Sequence, residues 1–268
     1  MNISERRRYI AERITSVGEI EFASLADEFG VSEMTIRRDI EVLEEQGLLR
    51  RVVGGAISIH GTAQEPSFHA RASVATKAKE RIARAIVDLL VPGETVLLDS
   101  GSTVLSVARE ISRGELPVTV VTPSTLVGIE LSGAPATTVY LLGGELRPEE
   151  LSVIGPDTVA AVGRFNCDTF VMGVAGVDMV GGISDYHFDE AHVKEAGMRA
   201  ASRVIVAADQ SKLGRATFAK ICPLADVTIL VTDAPDDHAT VLEAIRQGVR
   251  VVTTANMLNM TAGTVERP

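Results

Sequence analysis

Apolar residues follow two different rhythms along the chain, and the change comes near residue 79. Up to residue 60 the spacing is helical. Tyr9, Ile10, Ile14 and Val17 form one stripe over 4–17, which Gly18 stops. Ser24 is expected to cap a short second helix, SLADEFG, that ends at Gly30. Ser32 is expected to cap a third, in which Ile36, Ile40 and Leu43 recur at i, i+4 and i+7 as one buried stripe. At 100° per residue Arg38 lies roughly 200° and Met34 roughly 160° around the helix from Ile36. Met34, Thr35, Arg37 and Arg38 therefore face away from the core. LLRRVV and AISIH follow as two β-like runs around Gly54 and Gly55, the mark of a hairpin. Behind such a helix the hairpin reads as a wing.

From residue 79 helical stretches alternate with short apolar runs: TVLLD, VTVVT, TVYLL, DTFVMG, RVIVAA, VTILVT and VRVVTT. Seven such runs, mostly separated by helix-length segments, predict a mainly parallel α/β sheet. The stretch between the two regions carries Gly, Pro and Ser without a clean period. The expected organisation is a winged helix-turn-helix domain over 1–59, a linker over 60–78, a larger α/β domain over 79–256 and a tail over 257–268.

Composition narrows the function. No apolar run reaches the roughly 18 residues of a membrane span. The arginines near the N-terminus are not followed by an apolar stretch, so no signal peptide is expected. Cys167 and Cys222 stand apart without metal-ligand or disulfide spacing, which suits a reducing cytoplasm. The net charge of −10 at first argues against nucleic acid. Even residues 1–60 hold eight arginines against eleven acidic residues. What decides DNA binding is clustering rather than total charge. Arg6, Arg7, Arg8, Arg37, Arg38, Arg50 and Arg51 are bunched, while Glu44 and Glu45 fall late in the third helix.

Such a module can also bind protein. The groove reading places Ser32, Met34, Thr35, Arg37 and Arg38 at the DNA, with Arg50 and Arg51 on the wing reaching the flanking backbone. Arginine bridges guanine O6 and N7 with two parallel hydrogen bonds or grips phosphate, and most protein–DNA hydrogen bonds go to phosphate.

In the α/β region, TVLLDSGST ends a strand at Asp99 and opens a helix through Ser100, Gly101, Ser102 and Thr103. Glycine admits a ligand close to the backbone, and free helix N–H groups favour an anion. This is a phosphate cradle, although Ser-Gly-Ser loops also serve as plain turns. Other strand ends carry Thr122 and Ser124, Gly144, Gly176, and Asp209 with Lys212. Ligands of open α/β sheets gather outside the carboxyl ends of the strands. Asp209 could accept from sugar hydroxyls and Lys212 could offer charge to phosphate.

VSEMTIRRDIEVLEEQGLLRRVVGGA resembles the winged helix-turn-helix of the DeoR family of bacterial transcription regulators, V-S-x-x-T-I-R-R-D-L-x-x-L-E-x-x-G-x-L-x-R-x-x-G-G-A, with Ile40 for the usual Leu. The family's DNA contacts carry over to Ser32, Thr35, Arg37 and Arg38. Residues 79–253 resemble its sensor domain: D-S-G-S-T for D-S-G-T-T, T-P-S for T-N-S, D-Q-S-K for D-x-S-K. That domain is similar in fold to ribose-5-phosphate isomerase, and the resemblance implies a phosphorylated sugar or related metabolite as effector. Pro123 for Asn removes an amide side chain and a backbone N–H, which implies a different sugar or orientation. The isomerase's catalytic carboxylates correspond to Met172, Ala175 and Lys194, so the resemblance implies binding kept and chemistry lost. Glu190 and Glu195 leave an alternative, a sugar-phosphate isomerase or deaminase-like enzyme with an accessory N-terminal domain.

The resulting expectation is a DNA-binding regulator, a repressor of carbohydrate genes, with no catalytic residue, metal or cofactor. Its partners would be a double-stranded operator, a phosphorylated sugar bound in part by Lys194, and further copies of itself. His187 and His192 flank Asp-Glu-Ala in a possible metal pattern, but a helix start capped by Asp189 is the preferred reading.

Overall fold

The computed structural model describes residues 2–254 except Gly18, Gly47, Val53, 59–64 and Glu149. The expected tail over 257–268 and the first part of the expected linker lie outside the described residues, as does the side chain of Arg50. The chain divides into two compact units, Met1–Val74 and Ala75–Pro268.

The first unit holds α1 (Ile3–Val17), β1 (Glu19–Glu21), α2 (Phe22–Phe29), α3 (Glu33–Glu45), β2 (Leu49–Val52), β3 (Gly55–Ser58) and α4 (Phe68–Ser73). Ile10, Ile14, Phe22, Leu25, Ile36, Ile40 and Leu49 are all but inaccessible to solvent and make its core. Full burial of such a side chain contributes about 1.5–3 kcal/mol. The wing hairpin pairs antiparallel with Val52 opposite Gly55. Two sequence expectations are corrected. Ile20 lies in β1, which adds a third strand to the wing in the order β1-β3-β2. The second helix begins at Phe22 behind an extended Glu21, so Ser24 lies inside it and does not cap it. The Phe22 amide instead donates to the Gly54 carbonyl at 3.0 Å, tying the helix entry to the wing. Within the expected linker over 60–78, α4 and the start of the next helix are formed.

The second unit runs α5 (Thr76–Val87), β4 (Thr95–Leu98), α6 (Ser102–Arg113), β5 (Thr119–Thr122), α7 (Thr125–Leu131), β6 (Thr138–Leu141), β7 (Glu145–Arg147), β8 (Ser152–Ile154), α8 (Pro156–Val162), β9 (Cys167–Gly173), β10 (Gly176–Asp178), β11 (Gly182–Asp185), α9 (Phe188–Ala200), β12 (Ala201–Ala207), β13 (Ala219–Cys222), β14 (Ile229–Thr232), α10 (Ala239–Arg246) and β15 (Arg250–Thr253). The seven apolar runs become one seven-stranded parallel sheet, β15-β14-β12-β9-β4-β5-β6. Its central strands are buried, as a parallel sheet covered by helices requires. Sequence order runs one way from β4 through β5 to β6, and the other way from β9 to β15. The boundary between β4 and β9 is therefore a topological switch point, where open α/β sheets bind ligands. A three-stranded antiparallel sheet, β10-β11-β13, and the pair β7-β8 lie outside the main sheet.

Candidate DNA-reading face and effector site

In the first unit the Ser32 hydroxyl caps α3, accepting from the Thr35 amide at 3.3 Å and lying 3.0 Å from the Thr35 hydroxyl. The cap fixes where the helix starts and so which side chains lead it. Met34 is 59% exposed, and Arg37 and Arg38 are exposed. The two arginines differ. The Arg37 guanidinium lies 5.1 Å from the Phe22 ring centroid and 3.5 Å from Glu33. Arg38 has no hydrogen bond or ion pair among the described residues, so its five donors are available.

The arginine cluster read from sequence is partly absorbed by the fold. Arg6 and Arg7 each place Nε 2.7 Å from a carboxylate oxygen of buried Asp39, one on either oxygen. They clamp α1 to α3 and do not add to a DNA-facing patch. On the wing, Arg51 is 2.6 Å from Glu41, and its amide donates to Glu44 at 2.8 Å. Glu44, late in the helix, thus lies against the wing.

In the second unit the switch point carries the DSGST loop. Asp99 and Ser100 follow β4, and Gly101 (φ +101°) starts α6 in a backbone conformation that favours glycine. Ser100 and Ser102 are buried, and Thr103 is half-buried. The Asp99 carboxylate accepts the Gly173 amide at 3.0 Å, joining the ends of β4 and β9. A side chain at Gly173 would place Cβ 2.9 Å from the Ser100 carbonyl, so the two ends meet at backbone distance.

Below the cradle lies a buried charge cluster. Lys194 of α9 donates to Asp99 and lies 3.4 Å from Asp185 at the end of β11. One turn earlier, Glu190 accepts from Arg147 at 3.0 Å and from Ser152 at 2.7 Å. Burial pushes the Asp99 carboxyl up to about 6, with the Lys194 charge acting the other way. Burial opposes the Lys194 charge too, but the Asp99, Asp185 and Glu190 carboxylates prevail and raise its pKa. Burial likewise disfavours Glu190 ionisation, yet Lys194 and Arg147 hold its pKa below the usual value. Lys194 is thus a committed, inaccessible cation with no tendency to act as a base.

The remaining strand-end residues divide by role. Thr122 accepts the Ser124 amide at 3.0 Å, and the Ser124 hydroxyl caps α7. Pro123 accepts the Val153 amide at 2.7 Å, binding this turn to β8. At Gly144 a Cβ would meet the Thr158 hydroxyl at 1.8 Å, and at Gly176 the Arg215 carbonyl at 2.4 Å. Both glycines therefore serve close packing. Asp209, buried after β12, accepts from the Ser211 amide at 3.0 Å, and Lys212 ends the same turn half-buried.

Sequence reading missed Asp185 as a neighbour of Lys194 and Arg147 as a partner of Glu190; the i, i+4 placement of Glu190 and Lys194 was the available signal. His187 takes the N-cap position of α9, and Asp189 falls in its first turn, correcting the expected cap. Among the described residues no group of three potential metal ligands occurs, and no helix is long and apolar enough to cross a membrane.

Two family models match the chain. The DeoR-like helix-turn-helix domain covers residues 6–62, and the DeoR C-terminal sensor domain covers 74–234. The chain is 32% identical over 249 residues to the HTH-type transcriptional regulator GlpR of Haloferax volcanii, covering 93% of this chain and 97% of that protein. It is 33% identical over 254 residues to a putative aga operon transcriptional repressor of Escherichia coli O157:H7, with 93% of each covered. It is 31% identical to the glycerol-3-phosphate regulon repressor of Escherichia coli K12, covering 88% and 92%. Among solved structures, ribose 5-phosphate isomerase A of Methanocaldococcus jannaschii aligns at 19% identity with a TM-score of 0.38, over 52% of this chain and 54% of that one.

Proposed function

Because this chain belongs to the DeoR family of DNA-binding transcription regulators, we propose that it represses carbohydrate-metabolism genes in the cytoplasm and loosens its hold on the operator when a phosphorylated sugar binds the sensor unit. It is a regulator and not an enzyme. The observation that carries the effector reading is the loop from Asp99 to Thr103 at the switch point. Its φ-positive Gly101, small hydroxyl side chains and helix start together make an anion cradle.

In this reading phosphate sits on the α6 start, contacted by Ser100, Gly101, Ser102 and Thr103. Asp209 turns toward the sugar hydroxyls and Lys212 toward a charge. Lys194 acts from beneath by holding Asp99, not as a direct phosphate contact. Thr122 and Ser124 shape the neighbouring turn. Met34, Thr35, Arg37 and Arg38 enter the major groove, Ser32 sets the helix start, and Arg50 and Arg51 reach flanking phosphates. A single small winged module reads few base pairs, so at least a dimer would read paired half-sites.

The effector must bind one arrangement of the protein better than another, typically by about 1–3 kcal/mol. A thermal-shift screen of the full chain against phosphorylated sugars and sugar acids tests the reading. A specific binder raises the melting temperature by linkage, and the D209A variant loses that shift. Absence of any shift across the panel, with the protein folded, counts against it.

A further inference from the structure

Resting on the effector site just proposed, we infer that the effector carries two acidic groups, one at each end of a short sugar chain, and that Arg81 holds the second. The class is a sugar bisphosphate or a phosphorylated sugar acid.

Arg81 lies on α5, which packs against α6 and against β12 and β14. One terminal nitrogen lies 3.4 Å from Asp233, just past β14. Among the described residues its Nε, shielded in this conformation, has no hydrogen-bond partner, while the side chain as a whole is 29% exposed. A guanidinium offers Nε and a terminal nitrogen as a parallel fork that suits a carboxylate or phosphate. Here half of that fork is unanswered, and the other half rests on one long contact. Buried donors in native proteins are nearly always satisfied, so an orphan calls for an acceptor.

Its location supplies the acceptor. The second oxygen of Asp233 accepts the Gln210 amide at 2.8 Å, and Gln210 follows Asp209 directly. Arg81 therefore sits behind the turn that holds Asp209 and Lys212. In the sheet, β12 is two strands from β4 and β14 is three. At a strand spacing near 4.8 Å, the Arg81 end of the crevice is about 10–14 Å from the α6 cradle. One phosphate cannot occupy both ends, whereas a short sugar chain with an acid at each terminus can. The two ends also differ in kind. The cradle offers backbone amides and hydroxyls to a compact phosphate, and the Arg81 fork accepts a planar carboxylate equally well.

Calorimetric titration of the full chain tests this with four probes: fructose 1,6-bisphosphate, 6-phosphogluconate, fructose 6-phosphate and fructose 1-phosphate. The wild type should bind at least one doubly acidic probe about tenfold or more tightly than either monophosphate, the scale of one charge-assisted hydrogen-bonded contact. Which of the two wins tells phosphate from carboxylate. Arg81→Met should erase that preference and leave monophosphate affinity unchanged. Arg81→Lys, which keeps charge but not the fork, should restore it only in part and serves if the methionine variant unfolds. Equal affinities in the wild type, or equal weakening of all probes by both variants, would overturn the proposal and leave Arg81 a structural residue. If no phosphorylated probe binds the folded wild type, the effector reading itself fails with it.

Discussion

Lys194 and Asp99, 95 residues apart, form an ion pair in which each side chain is only 3% exposed. The pair joins α9 to the cradle loop, and Asp99 passes the restraint on to Gly173. It accounts for two features at once. The carboxylates keep the lysine charged, so it cannot be the base of a proton-moving enzyme. The lysine in turn fixes the strand end from which the DSGST loop departs.

Removing the cation should therefore be expensive. Lys194→Met leaves Asp99 and Asp185 facing each other without it, and breaking such a buried pair costs about 3–5 kcal/mol. Chemical denaturation of the second unit's transition reads this. A loss under about 1 kcal/mol would show that the pair is not a structural anchor.

The raised Asp99 pKa has a definite sign. Between the ordinary value of 3.8 and about 6, the folded chain binds this proton more readily than the unfolded chain. Its carboxyl therefore favours folding below that window, and the contribution is lost as pH rises through about 6. Relative to the Asp99→Asn variant, the wild type should gain stability as pH falls from 7 to 5. Glu190, whose lowered pKa acts with the opposite sign, is present in both proteins. A flat difference between the two proteins over that range contradicts the assignment.

Gly173→Ala should separate sensing from DNA binding. The added methyl would meet the Ser100 carbonyl at 2.9 Å and shift the cradle. Thermal shift by effector should fall, while affinity for operator without effector stays within about twofold, a few tenths of a kcal/mol. A variant that senses normally would show that the β4 and β9 ends need not meet so closely.

In the first unit, Asp39→Asn should destabilise folding by about 3 kcal/mol, because two arginines lose a buried counter-ion. The melting temperature of the isolated transition measures it. No change would mean that Arg6 and Arg7 find other partners, and would return them to the pool of DNA contacts.

How legible these features were depends on sequence distance. The α3 stripe of Ile36, Ile40 and Leu43 and the seven strand runs declare themselves locally, through period and residue type. β1 does not, because Glu19-Ile20-Glu21 offers one apolar residue and forms only by pairing with β3. β10, β11 and β13 are similarly short and depend on one another. The DSGST loop was visible as chemistry, but its partners were not. Lys194 reaches Asp99 only through the sheet topology, and Asp39 meets Arg6 and Arg7 across 33 and 32 residues. Local pattern therefore located the DSGST loop and the third helix, while long-range pairing decided which charges are engaged.

The most direct measurement is fluorescence anisotropy of labelled operator DNA, titrated at fixed salt with the wild type, Arg38→Ala and Asp209→Ala, with and without the effector found by thermal shift. The wild type should bind tightly and weaken on adding effector. Arg38→Ala should lose about 10–100-fold of operator affinity, the value of one bidentate base contact, and still show the effector-induced thermal shift. Asp209→Ala should bind operator normally and ignore effector. Unchanged operator affinity in Arg38→Ala, or normal release by Asp209→Ala, would contradict a chain that reads DNA at one end and a sugar phosphate at the other.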